Sequence, residues 1–538
     1  METPRRPRIG IFGWGVVAPR SAGISEFREN LRSNGSWMEP FEGSAGFGPN
    51  NFLVGVPSFD IEQYRPWIEQ RFKPARFSQF VKHSGGPVRY AVGAFIQALE
   101  QNPGIEKTLQ DLGQQAHIYL GTGVGDLPTL YDVSVEYYKA QRRWNRFWGS
   151  PDRCRMRELY EASAGGDRER LRAEFGIPPH PEQLSDADPS TRDAAEEAWE
   201  AFWCARSESL LEYLEEARRI QSEGLAGDIE SSKERVIKRK LTEMRRLNAR
   251  YGCPPEPWVS VHPNLIWNIH NAPAAQVSMM GRIQGDTFAP VGACSSFGLA
   301  LKLAIDAIRA GQARAVVVGM TDPAPHPLLV GAFYKANVLA ADASPSKPLA
   351  GLKGTHVAGG ACVWIVADAD YMREHGYRPV GLEIAGVGLS SDAHHIITPT
   401  RHGPVASIDK ALADARIAAS DIAAWDLHAT ATPGDWLEVS TALDVLPATI
   451  PMSARKGSFG HGMSVGGAWE LTAQHLGAVE GLIYPTILRR EELNESIAQL
   501  GGRFVFDEPV ALSGSYVGKI NMGVGGINAC VISRKWED

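Results

Sequence analysis

The sequence is poor in cysteine: six residues in 538, at Cys154, Cys204, Cys253, Cys294, Cys362 and Cys530. No two of them form a CxxC pair, which argues against a disulfide framework or a zinc ribbon and for a reducing, cytoplasmic setting. No uncharged apolar run reaches the roughly 20 residues that a membrane helix needs, so no membrane association is expected. An excess of positive charge is also missing. Lys and Arg number 55 against 62 Asp and Glu, for a net charge of -7, and no general field favours nucleic acid. No solenoid-like short repeat is present.

What is present is a chain too long for one ordinary core, with 43% hydrophobic residues. Near the N-terminus, "PRRPRIGIFGWGVVAPRS" has basic residues before a short apolar run, as a signal peptide does. The glycines weaken a signal helix, so the stretch reads as a buried strand from Ile9 to Phe12 followed by a turn at Gly13 and Gly15. Residues 131–257 differ from their surroundings: they are dense in charge, with interspersed Trp, Tyr and Leu. There "SESLLEYLEEARRIQSEG" places Leu210, Leu211, Leu214, Ala217 and Ile220 at helical spacing, and "SSKERVIKRKLTEMRRLNARYG" predicts a second helix ending near Gly252. Residues 164–190 read as a polar, Pro-containing connector. From about 258 onward, helix-period segments such as "SFGLALKLAIDAIRAGQ" alternate with buried strands such as "ARAVVVGM" and "GGACVWIVAD", which predicts a layered α/β architecture.

Four stretches carry candidate chemistry. In "APVGACSSFGLALKL", Cys294 stands among small residues at a predicted helix start. There the helix dipole and free N–H groups favour thiolate and offer an oxyanion site; a buried structural cysteine is the alternative. In "DLHATATPGDWLE", His428 offers a base or donor near neutral pH, and Thr430 and Thr432 share a face if the segment is extended. Asp435 is placed to cap the helix that follows. In "SARKGSFGHGMSVGG", Lys456 lies near His461 and disfavours its imidazolium. In "SSDAHHIITPT", the pair His394 and His395 reads as part of a substrate-lining loop. None of these spacings matches a metal motif, so no metal is expected.

Taken in order, these stretches resemble the β-ketoacyl synthase family of condensing enzymes. Ala293–Ser296 is similar to its cysteine elbow. His428–Asp435 is similar to its His-Gly-Thr-x-Thr-x-x-Gly-Asp motif, with Ala429 in the glycine position. Lys456–His461 is similar to its Lys-Ser-x-x-Gly-His loop, with Gly457 for Ser. Gly523–Asn528 is similar to its Gly-Phe-Gly-Gly-x-Asn, with Val524 for Phe, and "SSDAHHIITPT" matches a further family loop. The resemblance implies a thiolase-like fold: two similar halves forming a five-layer αβαβα sandwich, usually as a homodimer. The first half would comprise 1–130 and 258–375, the second 376–538, with a mostly helical insertion at 131–257. The implied activity is decarboxylative Claisen condensation of an acyl-enzyme with a malonyl thioester, in fatty acid or polyketide synthesis. Cys294 would be the nucleophile, His428 and His461 would stabilise the enolate, and Lys456 would tune His461. Thr430 and Thr432 would hold the phosphopantetheine arm, and the N–H groups of Cys294 and Val524 would form the oxyanion hole. The arm arrives on an acyl-carrier protein or CoA, so no resident cofactor is implied.

Departures mark a divergent member. Gly360 stands where the family carries Glu, so the charge network around Lys456 is expected to differ. Val524 replaces a gating Phe, and Ser346-Lys347-Pro348 is all that remains of a Ser-Arg-Pro-Phe-Asp stretch. Two alternatives follow: a priming or decarboxylating transferase without elongation, and a non-catalytic ketosynthase partner. Two basic clusters, Arg142, Arg143 and Arg146, and Lys238, Arg239, Lys240, Arg245 and Arg246, could meet an acidic carrier protein or form a solvated mixed-charge face.

Overall fold

The computed structural model describes residues 6–537 except 34, 43–51, 185–186, 223–228 and 343. The described chain divides into two compact units, one formed by 1–128 with 266–538 and one by 129–265.

The larger unit holds two main sheets. The first contains β1 (Ile9–Val17), β2 (Ala116–Gly121), β3 (Thr287–Phe288), β4 (Ala315–Asp322) and β5 (Gly360–Asp368), in the order β1-β5-β4-β2-β3. The second contains β6 (Glu383–Ser391), β7 (Ile422–Leu427), β8 (Pro451–Ala454), β9 (Arg503–Phe504), β10 (Tyr516–Gly523) and β11 (Ile527–Arg534), in the order β9-β8-β7-β10-β11-β6. Six helices layer against them: α1 (Gly86–Glu100), α2 (Ala272–Gly281), α3 (Ser296–Arg309), α4 (His402–Ala415), α5 (Gly434–Val445) and α6 (Gly466–Val479).

Three apolar cores separate the layers. Phe95 of α1 and Val277 of α2 pack with Phe12, Ile118 and Val317 on the outer face of the first sheet. Phe297 and Leu301 of α3 join Trp469 and Leu471 of α6 between the sheets, with Val316 and Val318 on one side and Val387 and Val531 on the other. Ile408 of α4 and Val439 of α5 close over Trp425, Met452 and Ile520 on the far side of the second sheet. The run Val316-Val317-Val318 feeds two cores because successive side chains point to opposite faces. These layers define the thiolase-like five-layer fold.

Gly13 and Gly15 do not form the expected turn. They continue β1, which runs to Val17. A Cβ on Gly15 would lie 1.9 Å from the Ala94 carbonyl and one on Gly13 would lie 2.1 Å from that of Ala98. The glycines therefore let α1 settle directly on the strand.

Gly360 has an equally definite cause. Its φ is +145°, and an added Cβ would meet the Val17 oxygen at 2.2 Å. No Glu fits there. Gly360→Glu or Gly360→Ala should cost at least about 2 kcal/mol and lower the thermal midpoint by several degrees, measurable by calorimetry. An unchanged midpoint would contradict this close approach.

The 129–265 unit is helical. Glu208–Ser222 and Ile229–Tyr251 pack together, with Leu210, Tyr213, Ala217 and Leu247 in their core. Leu211, expected on the buried face, is exposed. The expected connector contains a helix, Gly165–Phe175, stopped by Gly176 at φ +63°. Two arginines of the first basic cluster are neutralised in place: Arg142 and Arg146 both pair with Glu196 and Glu200.

Candidate active site

The site assembles where strand ends and helix starts meet in the larger unit. Cys294 sits in a single 3-10 turn, Ala293–Ser295, immediately before α3. The turn is held at both ends. The Gly292 N–H donates to the Ser296 hydroxyl at 2.8 Å, and that hydroxyl donates to the Ala293 carbonyl at 2.6 Å. The Ser295 hydroxyl shares its proton between the carbonyls of Ile527 (2.7 Å) and Asn521 (3.0 Å), tying the turn to β10 and β11. Ala293 adopts φ +50°, a sparsely populated region for a residue with a side chain, as is common where a reactive group is presented.

His428 follows β7, and Lys456 opens a short helix, Lys456–Phe459, after β8. His461 follows that helix, beyond Gly460 at φ +79°. One side-chain donor atom from each of Cys294, His428 and His461 lies within 4.8 Å of the other two. The two rings meet edge to face, 5.7 Å apart at 89°.

The hydrogen bonds around the rings set their tautomers. Lys456 Nζ (3.1 Å) and Asn521 Nδ2 (3.3 Å) both donate to His428 Nδ1. The Met463 N–H donates to His461 Nδ1 at 3.1 Å. With Nδ1 accepting, each neutral ring carries its proton on Nε2. Burial, then the Lys456 charge, holds both below the usual histidine range: His428 well below it and His461 at about 3. Two rings that present N–H have no lone pair free on Nε2, and the Lys456 ammonium repels a cation. This donor set suits a developing oxyanion and not a metal ion.

The Cys294 thiol differs from expectation. Burial pushes its pKa up, and that outweighs the lowering by Lys456, by the Val524 N–H and by its own N–H. The helix start alone therefore does not make a thiolate.

Two buried carboxylates brace the histidine turn. Glu438 accepts from the N–H groups of His428 and Ala429 (2.7 Å for the latter). Asp435 accepts from those of Thr430 (2.8 Å), Ala431 (3.1 Å) and Leu349 (2.9 Å). Asp435 does not cap α5 as expected, because that helix already begins at Gly434 and the carboxylate reaches back to the turn. Burial pushes Asp435 up to about 6 and Glu438 up to about 7. Thr430 Oγ1 and Thr432 Oγ1 lie 2.9 Å apart. A turn brings them together, with Ala431 at φ +61°, and not an extended strand.

The loop of His394 and His395 lies at the surface. Both histidines are exposed, and His395 Nδ1 is taken up by the N–H groups of Ile397 and Thr398. The loop acts through its backbone and Asp392: the Gly525 N–H donates to the Ile396 carbonyl at 2.7 Å and Asn528 Nδ2 to the Asp392 carboxylate at 2.8 Å, fixing the turn that carries Val524. The Val524 side chain is exposed.

Five residues of the site, Glu438 among them, do not stand out in the sequence. Lys456 donates to Glu470 of α6. Lys519 pairs with Glu470 at 3.0 Å, and Asn521 Nδ2 donates to it at 2.8 Å. Asp322, at the end of β4, accepts from the N–H groups of Gly123 (2.9 Å) and Val124 (3.2 Å) on one side and of Ser464 (2.8 Å) on the other.

The low histidine pKa values make acid stability testable. The unfolded chain binds protons below pH 6.5 that the folded protein refuses until about 4 at His356 and about 3 at His461 and His475. The contribution of these histidines should fall as pH drops below 6.5, by up to about 1.4 kcal/mol per pH unit for each, against the opposite contribution of Asp435 and Glu438, whose raised pKa values let the folded state take up protons first. His475→Gln should flatten the slope of unfolding free energy against pH by about one proton; an unchanged slope would contradict the assignment.

Two family models match segments of the chain. Residues 171–370 match the family model "Beta-ketoacyl synthase, N-terminal domain" and 382–488 match "Beta-ketoacyl synthase, C-terminal domain". The chain belongs to the β-ketoacyl synthase family. "Nodulation protein E" of Rhizobium meliloti is 31% identical over 226 residues, 41% of this chain and 56% of that protein. The "3-oxoacyl-[acyl-carrier-protein] synthase homolog" of Saccharomyces cerevisiae is 28% identical over 280 residues, 50% of this chain and 63% of that protein. The chain thus matches little more than half the length of these relatives. Among solved structures, "The ishigamide ketosynthase/chain length factor" superposes with a TM-score of 0.67 at 19% identity, covering 99% of this chain and all of that one. A β-ketoacyl synthase from Burkholderia phymatum gives 0.65 at 17%, with the same coverage.

Proposed function

We propose that the protein is a β-ketoacyl synthase that forms a carbon–carbon bond by decarboxylative Claisen condensation. The observation that carries this reading is the gathering of one side-chain donor atom each from Cys294, His428 and His461 within 4.8 Å, with both Nδ1 atoms already accepting so that Nε2 bears the proton. Cys294 attacks an acyl thioester, the acyl group moves to sulfur, and the donor thiol leaves with the proton. A malonyl thioester then loses CO2. The electron pair of the broken C–C bond forms an enolate whose oxygen the two N–H groups stabilise. The enolate carbon attacks the acyl carbonyl and the Cys294 thiolate leaves, giving a β-ketoacyl thioester. The N–H groups of Cys294 and Val524 hold the carbonyl oxygen in both transfers.

Thr430 and Thr432 offer paired hydroxyls to the amides of a phosphopantetheine arm, borne by an acyl-carrier protein or CoA. A second copy of the chain would complete the assembly at the exposed edge strand Thr287–Phe288.

Intact-protein mass spectrometry tests the reading. The protein is incubated with acyl-CoA and acyl-carrier-protein thioesters, then with a malonyl thioester. An acyl adduct discharged as a β-ketoacyl product supports condensation. An adduct that no malonyl donor discharges replaces it with a priming transferase, and no adduct with any donor replaces it with a non-catalytic partner.

A further inference from the structure

Lys519 lies fully buried in the middle of β10, where burial lowers its pKa and the Glu470 carboxylate works against that by favouring the ammonium. Nothing in the condensation above uses it. Its Nζ donates to the carbonyls of Ile520 (2.6 Å) and Leu427 (3.1 Å) and pairs with Glu470 Oε2. Lys519 and Asn521, two apart on one strand, share a face, and both reach that same oxygen. The other oxygen, Oε1, takes Lys456. A single carboxylate is therefore divided between two buried cations.

Charge counting gives the consequence. Lys456 and Glu470 alone would cancel, and Lys456 would exert little field on its neighbours. With Lys519 taking part of the Glu470 charge, the trio sums to one positive charge beside Cys294. The other groups that face Lys519 do not remove it. Asp426 is neutralised by Arg455, which donates to both its oxygens at 3.1 Å, Cys530 is a buried thiol, and His428 is neutral. Glu438, which burial pushes up to about 7, is only partly ionised at neutral pH and so offsets part of the charge without cancelling it.

We propose that Lys519 is a positioning residue of this site: acting through Glu470, it frees the Lys456 charge to stabilise one anion at Cys294 and keeps the Lys456 ammonium against His428 Nδ1. The proposal rests on the condensing reading for its purpose but not for its test. A buried anion is stabilised by an uncompensated cation nearby, and the Cys294 thiolate is the first anion that forms there. The enolate of the second half-reaction occupies the same field.

The experiment is the pH dependence of Cys294 alkylation by iodoacetamide, followed by mass spectrometry in the full-length protein. It needs no acyl donor, so it stands apart from a failure of the condensation assay. Lys519→Met should move the alkylation midpoint up by about one pH unit, making the reaction about tenfold slower at pH 7. Glu470→Gln should move it down. The double variant, which removes one charge of each sign, should return it to the wild-type value. Opposite signs from two neighbours with restoration in the pair are not the signature of lost packing. An unmoved midpoint in folded Lys519→Met, or shifts of the same sign in both single variants, would overturn the proposal. Where Lys519→Met does not fold, the double variant should still have a higher midpoint than Glu470→Gln, and equal midpoints would overturn the proposal in the same way.

Discussion

Cys294→Ala is expected to show no acyl adduct with any thioester donor and to lose condensation by more than about a thousandfold. The side chain is small and only 9% exposed, so its removal leaves the fold intact. The Ser295 and Ser296 hydroxyls hold the turn independently of the sulfur. The thermal midpoint should therefore stay close to that of wild type while transfer disappears. Malonyl decarboxylation should persist, because both Nε2–H donors remain in place. Condensation retained in Cys294→Ala would remove the nucleophile assignment, and retained acyl labelling would point to another of the six cysteines. Among those, Cys362 and Cys530 are fully buried with their pKa pushed up, which makes them poor candidates.

Replacing either histidine should act on the other half-reaction. His428→Ala and His461→Ala each delete one donor to the enolate oxygen. Loss of one preorganised donor of this kind costs about a hundred- to a thousandfold in rate. Acylation of Cys294 should suffer less, since the oxyanion of that step is held by backbone N–H groups. Separate measurement of adduct formation and CO2 release distinguishes the two, and equal loss of both steps would remove the enolate role. The variants also differ from one another. Losing His428 leaves Lys456 with the His428 carbonyl and Glu470 as acceptors, whereas losing His461 leaves the Lys456 contacts untouched.

Sequence reasoning reaches the reacting groups more readily than their support. Cys294, His428, Lys456 and His461 stand out because each is a polar residue in a small-residue loop beside a buried strand or helix. Glu470 and Lys519 stand inside regular elements, "GGAWELTAQHLGAV" and "YVGKINMG", and are legible only as charges in segments too apolar to carry them. Such a charge needs a partner, but the sequence does not say which, since Lys456, Glu470 and Lys519 belong to three separate elements. The strand-helix alternation after residue 258 is plain from periodicity. The antiparallel pairing of β1 with β5, across some 350 residues, is not. Gly13 and Gly15 are ambiguous in the sequence because glycine marks either a turn or a close approach, and only the neighbouring helix decides between them. The Gly165–Phe175 helix is hidden in the sequence because its apolar residues form no repeating stripe, although Leu171 packs against the cluster of Cys154, Tyr160 and Trp199.

Asp322 bears on how the chain divides. Its carboxylate draws backbone donors from residues 123–124 and from residue 464, so one buried anion fastens loops that lie 340 positions apart in the chain. The reacting groups are split in the same way, with the thiol on one side of the cut between sheets and both imidazoles on the other. A fragment ending near residue 375 would retain the thiol but lack its donors, and would strip the Asp322 oxygen that Ser464 holds of both its donors. Two such fragments should regain function only when mixed, with a melting transition that depends on their concentration.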